Sequence, residues 1–169
     1  PMSEHRTFKY FKEETIEKYA KQYGWTLIDD SNRKDMFMDI IRQMDMSYSY
    51  KPVLIKAILL YADEKGRIKL DDIVSYFRSY YEGRRASGLP VEKKNSIFAK
   101  GGYTDKEAER NILANPFKRF EDMQMLRHTK TLGIVQVDGA VWTRLSNNEK
   151  AEIEAICNEK LDSYYARLK

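Results

Sequence analysis

Three side chains in this sequence are of the two types, His and Cys, that build most zinc sites and thiol-based catalytic pairs. They are His5, His128 and Cys157, and the chain contains no other histidine or cysteine. Because a structural zinc site needs about four ligands, mostly Cys and His, the sequence does not predict one. Their spacing matches neither the HExxH motif nor a histidine-based triad around the thiol. A lone cysteine on a predicted helix is more often a packing residue than a nucleophile, so Cys157 is expected to pack.

One tripeptide, Glu92-Lys93-Lys94, matches the E-x-K element of metal-dependent nucleases. Such a nuclease places this element and a further acid on adjacent strands, whereas here the tripeptide falls in a predicted loop. A chain that is 33% charged also contains such tripeptides by chance. The Gly101-Gly102 pair fits neither the Walker pattern nor GxGxxG. The sequence therefore indicates no catalytic reaction, no metal and no cofactor.

Basic residues are concentrated between residues 84 and 130. This region holds eleven Lys and Arg against six Asp and Glu, a net charge of +5, whereas the whole chain carries +4. The entire basic excess therefore lies here. The candidate nucleic-acid contacts are Lys93, Lys94, Lys106, Arg110, Lys118, Arg119, Arg127 and Lys130. If about six to eight of them neutralised phosphates, affinity would fall by roughly 0.9 log units per contact for each tenfold rise in salt.

Apolar periodicity predicts a mainly α fold with a small β-hairpin. The first expected helices cover residues 13–23, 32–46, 51–63 and 73–84, with a short strand at 67–70 between the last two. The third is apolar nearly all round and should be central. The second has an apolar stripe, Met36, Phe37, Ile40, Ile41 and Met44, which we expect to pack on the main domain.

Short sequence motifs predict where the helices and strands of the second half of the chain begin. Thr104 to Glu107 is a capping box, and Asn115-Pro116 is interpreted as a second helix start. Strands are expected at 125–128 and 134–137, with Lys130 at the tip between them. Ser146 should cap a long final helix over 148–168.

This order predicts a winged-helix-like domain over 47–145, with a long basic loop at 83–103. Residues 1–46 form an N-terminal helical extension, and residues 146–169 form a C-terminal helix packed on the domain. A winged helix lays one helix in the major groove of double-stranded DNA and contacts an adjacent groove or the backbone with its wing. Either the helix from Asp105 reads the DNA and is broken at Pro116, or it positions a reading helix over 116–122. We favour the first, because the preceding helix, strand and helix then follow the standard order.

Three short sequence segments are similar to those of a known protein family: YKPVLIKA at 50–57, VEKKNSIF at 91–98 and NPFKRFEDM at 115–123. With the residues around them, from about 47 to 168, they resemble the C-terminal accessory region of bacterial superfamily II DEAD/DEAH-box helicases. The resemblance implies a non-catalytic, nucleic-acid-binding, helicase-associated module. The helicase motor motifs lie outside this segment, so no catalytic residue is transferred.

The alternative is a free-standing phage or mobile-element protein that starts at Met2 and acts through contacts with a large protein partner. It would be an anti-CRISPR inhibitor of a nucleic-acid-guided nuclease, or a repressor. The single cysteine and the lack of a signal-peptide apolar region indicate a cytoplasmic location. No run approaches the roughly 18 apolar residues of a membrane span, so no membrane partner is expected.

Overall fold

The computed structural model describes residues 30–168, and the helix predicted over 13–23 lies outside them. Helices are α1 (Asp30–Arg42), α2 (Tyr50–Tyr61), α3 (Leu70–Ala86), α4 (Ile97–Lys100), α5 (Asp105–Ile112), α6 (Lys118–Asp122), α7 (Gly139–Trp142) and α8 (Asn147–Arg167). Strands are β1 (Arg67–Lys69), β2 (Leu126–Thr129) and β3 (Ile134–Val137). The fold is mainly helical with a small antiparallel sheet and a long C-terminal helix, as the sequence predicts. Among the described helices, none is long and apolar enough to cross a bilayer.

The predicted apolar helix, α2, forms the centre of the core. It packs against α3 and α8, and Val53, Leu54 and Ala57 are fully buried. Pro52 lies in its first turn, where an N–H would have no partner within the helix. Helix α2 runs through the core, and the end of the helix at Tyr61 lies on the side of the sheet.

Helix α1 packs onto α7 and α8 through the apolar stripe predicted for it. Met36 and Ile41 are fully buried, and Met44 is buried just beyond the helix end. At the rim of this contact, the Lys34 ammonium lies 3.0 Å from the Glu149 carboxylate at the start of α8. The core is therefore continuous from α1 to α8.

The hairpin predicted from the sequence is present, and β1 adds a third strand to it. The strand order is β1-β3-β2, and both pairings are antiparallel. Ile68, Val135 and Leu126 are buried on the inner face, so apolar side chains hold the sheet on the helices. Val137 and His128 share this inner face, and the side chains that alternate with them point to the outer face, because successive residues of a strand point to opposite sides.

The turn between α2 and β1 is closed by α7. The Trp142 indole N–H donates to the carbonyl of Asp63 at 2.9 Å, and its ring covers Gly66. Gly66 has a φ of +80°, and a Cβ at this position would lie 2.9 Å from Trp142 Cγ. Only glycine can adopt this positive φ and also leave room for the Trp142 ring. The contact between Gly66 and Trp142 fixes where β1 enters the sheet.

The prediction that Asn115-Pro116 starts a new helix is wrong. A π-helical turn, Leu113–Phe117, joins α5 to α6, so residues 105–122 form one continuous helical segment. Pro116 has no N–H to donate, and a π-helical turn accommodates a residue that cannot continue the α-helical ladder. The break at Pro116, on which the two alternatives for the reading helix depended, does not exist.

The long loop predicted at 83–103 is shorter and more ordered than expected. Helix α3 continues to Ala86, and the second half of the segment contains α4. Phe98 is fully buried, with its ring centroid 4.6 Å from that of Tyr81, so this residue fixes the loop to the core. Ser96 caps α4 and shares a hydrogen bond with the Tyr50 hydroxyl at 2.5 Å.

The capping box predicted at Thr104 and the cap predicted at Ser146 are both confirmed. Thr104 and Glu107 form the capping box of α5, and Ser146 and Glu149 form an equivalent box at α8. The buried side of α8 is formed by Ile153, Cys157, Leu161 and Tyr164.

Candidate nucleic-acid interface

The outer face of the sheet carries a row of long polar side chains. Arg67, Gln136 and Arg127 lie opposite one another on β1, β3 and β2. Opposite residues of antiparallel strands point to the same face. Arg67 and Arg127 are exposed, and they lie two strand spacings apart, roughly 10 Å.

A second row, nearer the hairpin tip, adds further cations. Lys69 lies opposite Ile134, which lies opposite Thr129, and Lys130 follows in the turn. Lys69 and Lys130 are both exposed. None of the residues in the three strands is acidic. We call Arg67, Lys69, Arg127 and Lys130 the basic sheet face.

One of these cations has an acidic neighbour outside the strands. Arg67 Nε lies 3.0 Å from the Asp63 carboxylate, which also accepts hydrogen bonds from the backbone N–H groups of Lys65 and Arg67. These hydrogen bonds, first that from Arg67, lower the pKa of Asp63. The pair is exposed, so Arg67 can still contact a polyanion.

A polar cleft of about 360 Å³ opens at the end of the sheet away from the hairpin tip. Arg127 and Gln136 line it from the sheet, and Arg33 of α1 lines it from the side, where it pairs with Asp138. Gln124, also in the lining, has a φ of +63°. The cleft extends the polar outer face towards α1.

The two candidate cations on α5 lie on one exposed side of the helix. Lys106 and Arg110 are four residues apart, and residues at this spacing are neighbours on a helix surface. Arg110 also lines a shallow groove with Ile97 and Asn111. The Asn111 side-chain nitrogen is buried there.

The two candidate cations on α6 differ in their burial and in the charges around them. Lys118 lies 2.5 Å from Asp122 and 3.9 Å from Glu121, so acids of its own helix offset its charge. Arg119 is half-buried, and its positive charge acts on Lys51 at the start of α2. Burial lowers the pKa of the Lys51 ammonium, and the positive charge of Arg119 lowers it further against the opposing effect of Asp45.

The loop cations Lys93 and Lys94 lie at the other end of the molecule. Their loop is fixed to the start of α2, whereas β1 follows the end of α2, a helix about 18 Å long. Lys93 lies over the Tyr48 ring at 5.2 Å. These two residues are therefore not part of the basic sheet face.

Glu92, the acid of the E-x-K tripeptide, is a buried anchor of this loop. Its side chain accepts hydrogen bonds from the N–H and hydroxyl of Ser49, the hydroxyl of Tyr164 and the N–H of Lys93. Only 8% of the residue is exposed. Both carboxylate oxygens are used in hydrogen bonds that join α2, α8 and the loop.

Cys157 has the environment of a packing residue. It is fully buried, and burial raises the pKa of its thiol to about 12. A thiol protonated at neutral pH is a poor nucleophile. Within residues 30–168, no three His, Cys, Asp or Glu side chains are grouped so that they could hold a metal ion.

Of the eight predicted contacts, the structure places Arg127 and Lys130 on the basic sheet face and the others on α5, α6 and the loop. Sequence reasoning missed Arg67 and Lys69. Their signal was the alternation of residues 67–70, which identified a strand and placed both cations on one side of it. The sequence did not show which strand would pair with this one.

Comparisons of the chain with family models, with curated proteins and with solved structures gave no match.

Proposed function

We propose that this protein is a non-catalytic module that binds double-stranded DNA through the basic sheet face and α5. The observation that carries this proposal is the position of Arg67, Lys69 and Arg127 on one face of strands without acidic residues, with the exposed Lys130 in the adjoining turn. Phosphate contacts of this kind supply most of the affinity of non-specific DNA binding.

The order of the elements supports a winged-helix arrangement. Helix α2, strand β1, helix α3, helix α5 and the hairpin follow one another as expected for that domain, and β1 pairs with the hairpin at β3. The hairpin is the wing in this interpretation. The resemblance to a helicase accessory region suggests the same kind of ligand.

The continuous helix over 105–122 is the element we assign to the major groove. It leads directly into the hairpin, and Phe117 packs its ring against His128 on β2 at 6.0 Å. Lys106 and Arg110 supply exposed cations on its first half. An α-helix fits the major groove, which is about 12 Å wide, and the wing then contacts the adjacent groove or the backbone.

A second candidate function, docking on a protein partner, has one observation in its favour. Leu60 and Tyr61 are adjacent at the end of α2 and are 63% and 44% exposed. A partner that used this site would suit the free-standing inhibitor or repressor predicted as the alternative. Replacing both residues with serine would then abolish capture of the partner without changing DNA affinity.

Direct titration tests the DNA proposal. Fluorescence anisotropy is measured with the same labelled sequence as a DNA duplex, as single-stranded DNA and as an RNA duplex, at low salt. We expect the DNA duplex to bind most tightly, because the major groove of B-form DNA admits an α-helix whereas that of an A-form RNA duplex is deep and narrow. No binding of any of the three at low salt overturns the proposal. Preferential binding of the RNA duplex or of the single strand overturns the assignment to double-stranded DNA.

A further inference from the structure

The tip of the hairpin presents an apolar side chain to solvent. Leu132 is 69% exposed, the largest value for any large apolar side chain in the part of the chain that the structure describes. Turn positions of this kind usually carry Gly, Pro, Asn, Asp or Ser. Leucine at the tip contributes nothing to the core, so the fold itself does not require it.

The turn that carries Leu132 is held firmly at its base. The N–H of Leu132 donates to the carbonyl of Thr129 at 3.1 Å, and that of Gly133 donates to Lys130 at 3.3 Å. The carbonyl of Gly133 accepts from the N–H of Leu70 at 2.9 Å, which joins the turn to the first residue of α3. The backbone that carries the leucine is therefore ordered before any ligand binds, which lowers the entropic cost of inserting it.

Cations surround this apolar tip. Lys130 precedes Leu132 by two residues, and Lys69 lies on the adjacent strand opposite Ile134, next to the turn. Both lysines are exposed. An apolar side chain at the end of a hairpin, with cations beside it, is suited to a groove whose walls are phosphates and whose floor is the edges of base pairs.

We propose that Leu132 enters the minor groove of duplex DNA and wedges between two base pairs, while Lys130 and Lys69 contact the adjacent phosphates. This inference rests on the proposed function. Proteins that insert Leu, Phe, Ile, Met or Pro between base steps from the minor groove unstack them and kink the duplex. Pyrimidine–purine steps such as TpA unstack most readily, so Leu132 is expected to prefer them.

The test separates kinking from binding. A duplex with a central TpA step carries 2-aminopurine at that step, and a second copy carries a donor and an acceptor dye at its ends. With saturating wild-type protein we expect higher 2-aminopurine fluorescence and a shorter end-to-end distance, corresponding to a kink of roughly 20 to 90°. Leu132→Ser should bind the duplex but produce neither change, whereas Leu132→Phe should retain both.

The matched control is Leu89→Ser, which removes an exposed leucine from the loop before α4 and should behave as the wild type. Kinking and unstacking by Leu132→Ser equal to those of the wild type overturn the wedge. Saturable duplex binding by the wild type without any kink overturns the wedge and leaves the proposed function standing. A wild type that does not bind the duplex overturns both.

Discussion

Replacing Lys69 and Arg127 together with glutamate is expected to weaken binding to duplex DNA by about 100-fold, or roughly 2.7 kcal/mol. The two residues lie on different strands, β1 and β2, but on the same outer face of the sheet. Each substitution removes a phosphate contact and brings a negative charge against the DNA backbone. Both side chains are exposed, so the fold should tolerate the change.

The control for this variant keeps the change in net charge and alters its position. Lys100 in α4 and Arg167 in the last turn of α8 are exposed cations outside the proposed interface. Lys100→Glu combined with Arg167→Glu should weaken binding by less than about fivefold, through long-range electrostatics alone. Equal losses in the two double variants would show that net charge, and not the basic sheet face, determines affinity.

The second large effect concerns stability. Replacing Glu92 with alanine is expected to lower the free energy of unfolding by about 3 kcal/mol, because buried donors that lose their acceptor cost roughly 1 to 3 kcal/mol each. The donors affected most are the N–H of Ser49 and the hydroxyl of Tyr164, which the carboxylate joins across α2 and α8. For a chain of this size the melting temperature should fall by about 6 to 12 °C.

Glu82 provides the matched control for Glu92. Its carboxylate also accepts a hydrogen bond from a tyrosine hydroxyl, that of Tyr103 at 2.5 Å, but it is half-exposed on α3. Glu82→Ala should cost no more than about 1 kcal/mol, since water can replace the lost carboxylate. Glu92→Gln should lie between the two, because the amide keeps one acceptor oxygen. Chemical denaturation of the three variants provides the comparison, and an unfolding curve for Glu92→Ala that matches the wild type would contradict an anchoring role.

Features coded by neighbouring residues could be predicted from the sequence. The capping box at Thr104, the cap at Ser146 and the hairpin are signals that extend over only a few residues, and all three are present. The apolar pattern of α2 likewise predicted its central position, because a helix that is apolar all round has to be buried.

Features that depend on long-range pairing could not be predicted. Lys69 joins Arg127 only because β1 pairs with β3 across more than sixty intervening residues. Glu92 looked like a surface residue in a basic loop, and its partners Ser49 and Tyr164 are 43 and 72 residues away in the chain. Pro116 was misinterpreted for another reason: the π-helical turn that accommodates it has no local sequence signal comparable with a capping box.

The salt dependence of duplex binding tests the central claim most directly. With four to six phosphate contacts from the basic sheet face and α5, the logarithm of the binding constant should fall with the logarithm of salt concentration at a slope between about −3.6 and −5.4. The Lys69→Glu and Arg127→Glu double variant should lose about 1.8 of that slope, because it loses two contacts. A wild-type slope near zero, or a double variant with the slope of the wild type, would contradict DNA binding through this face.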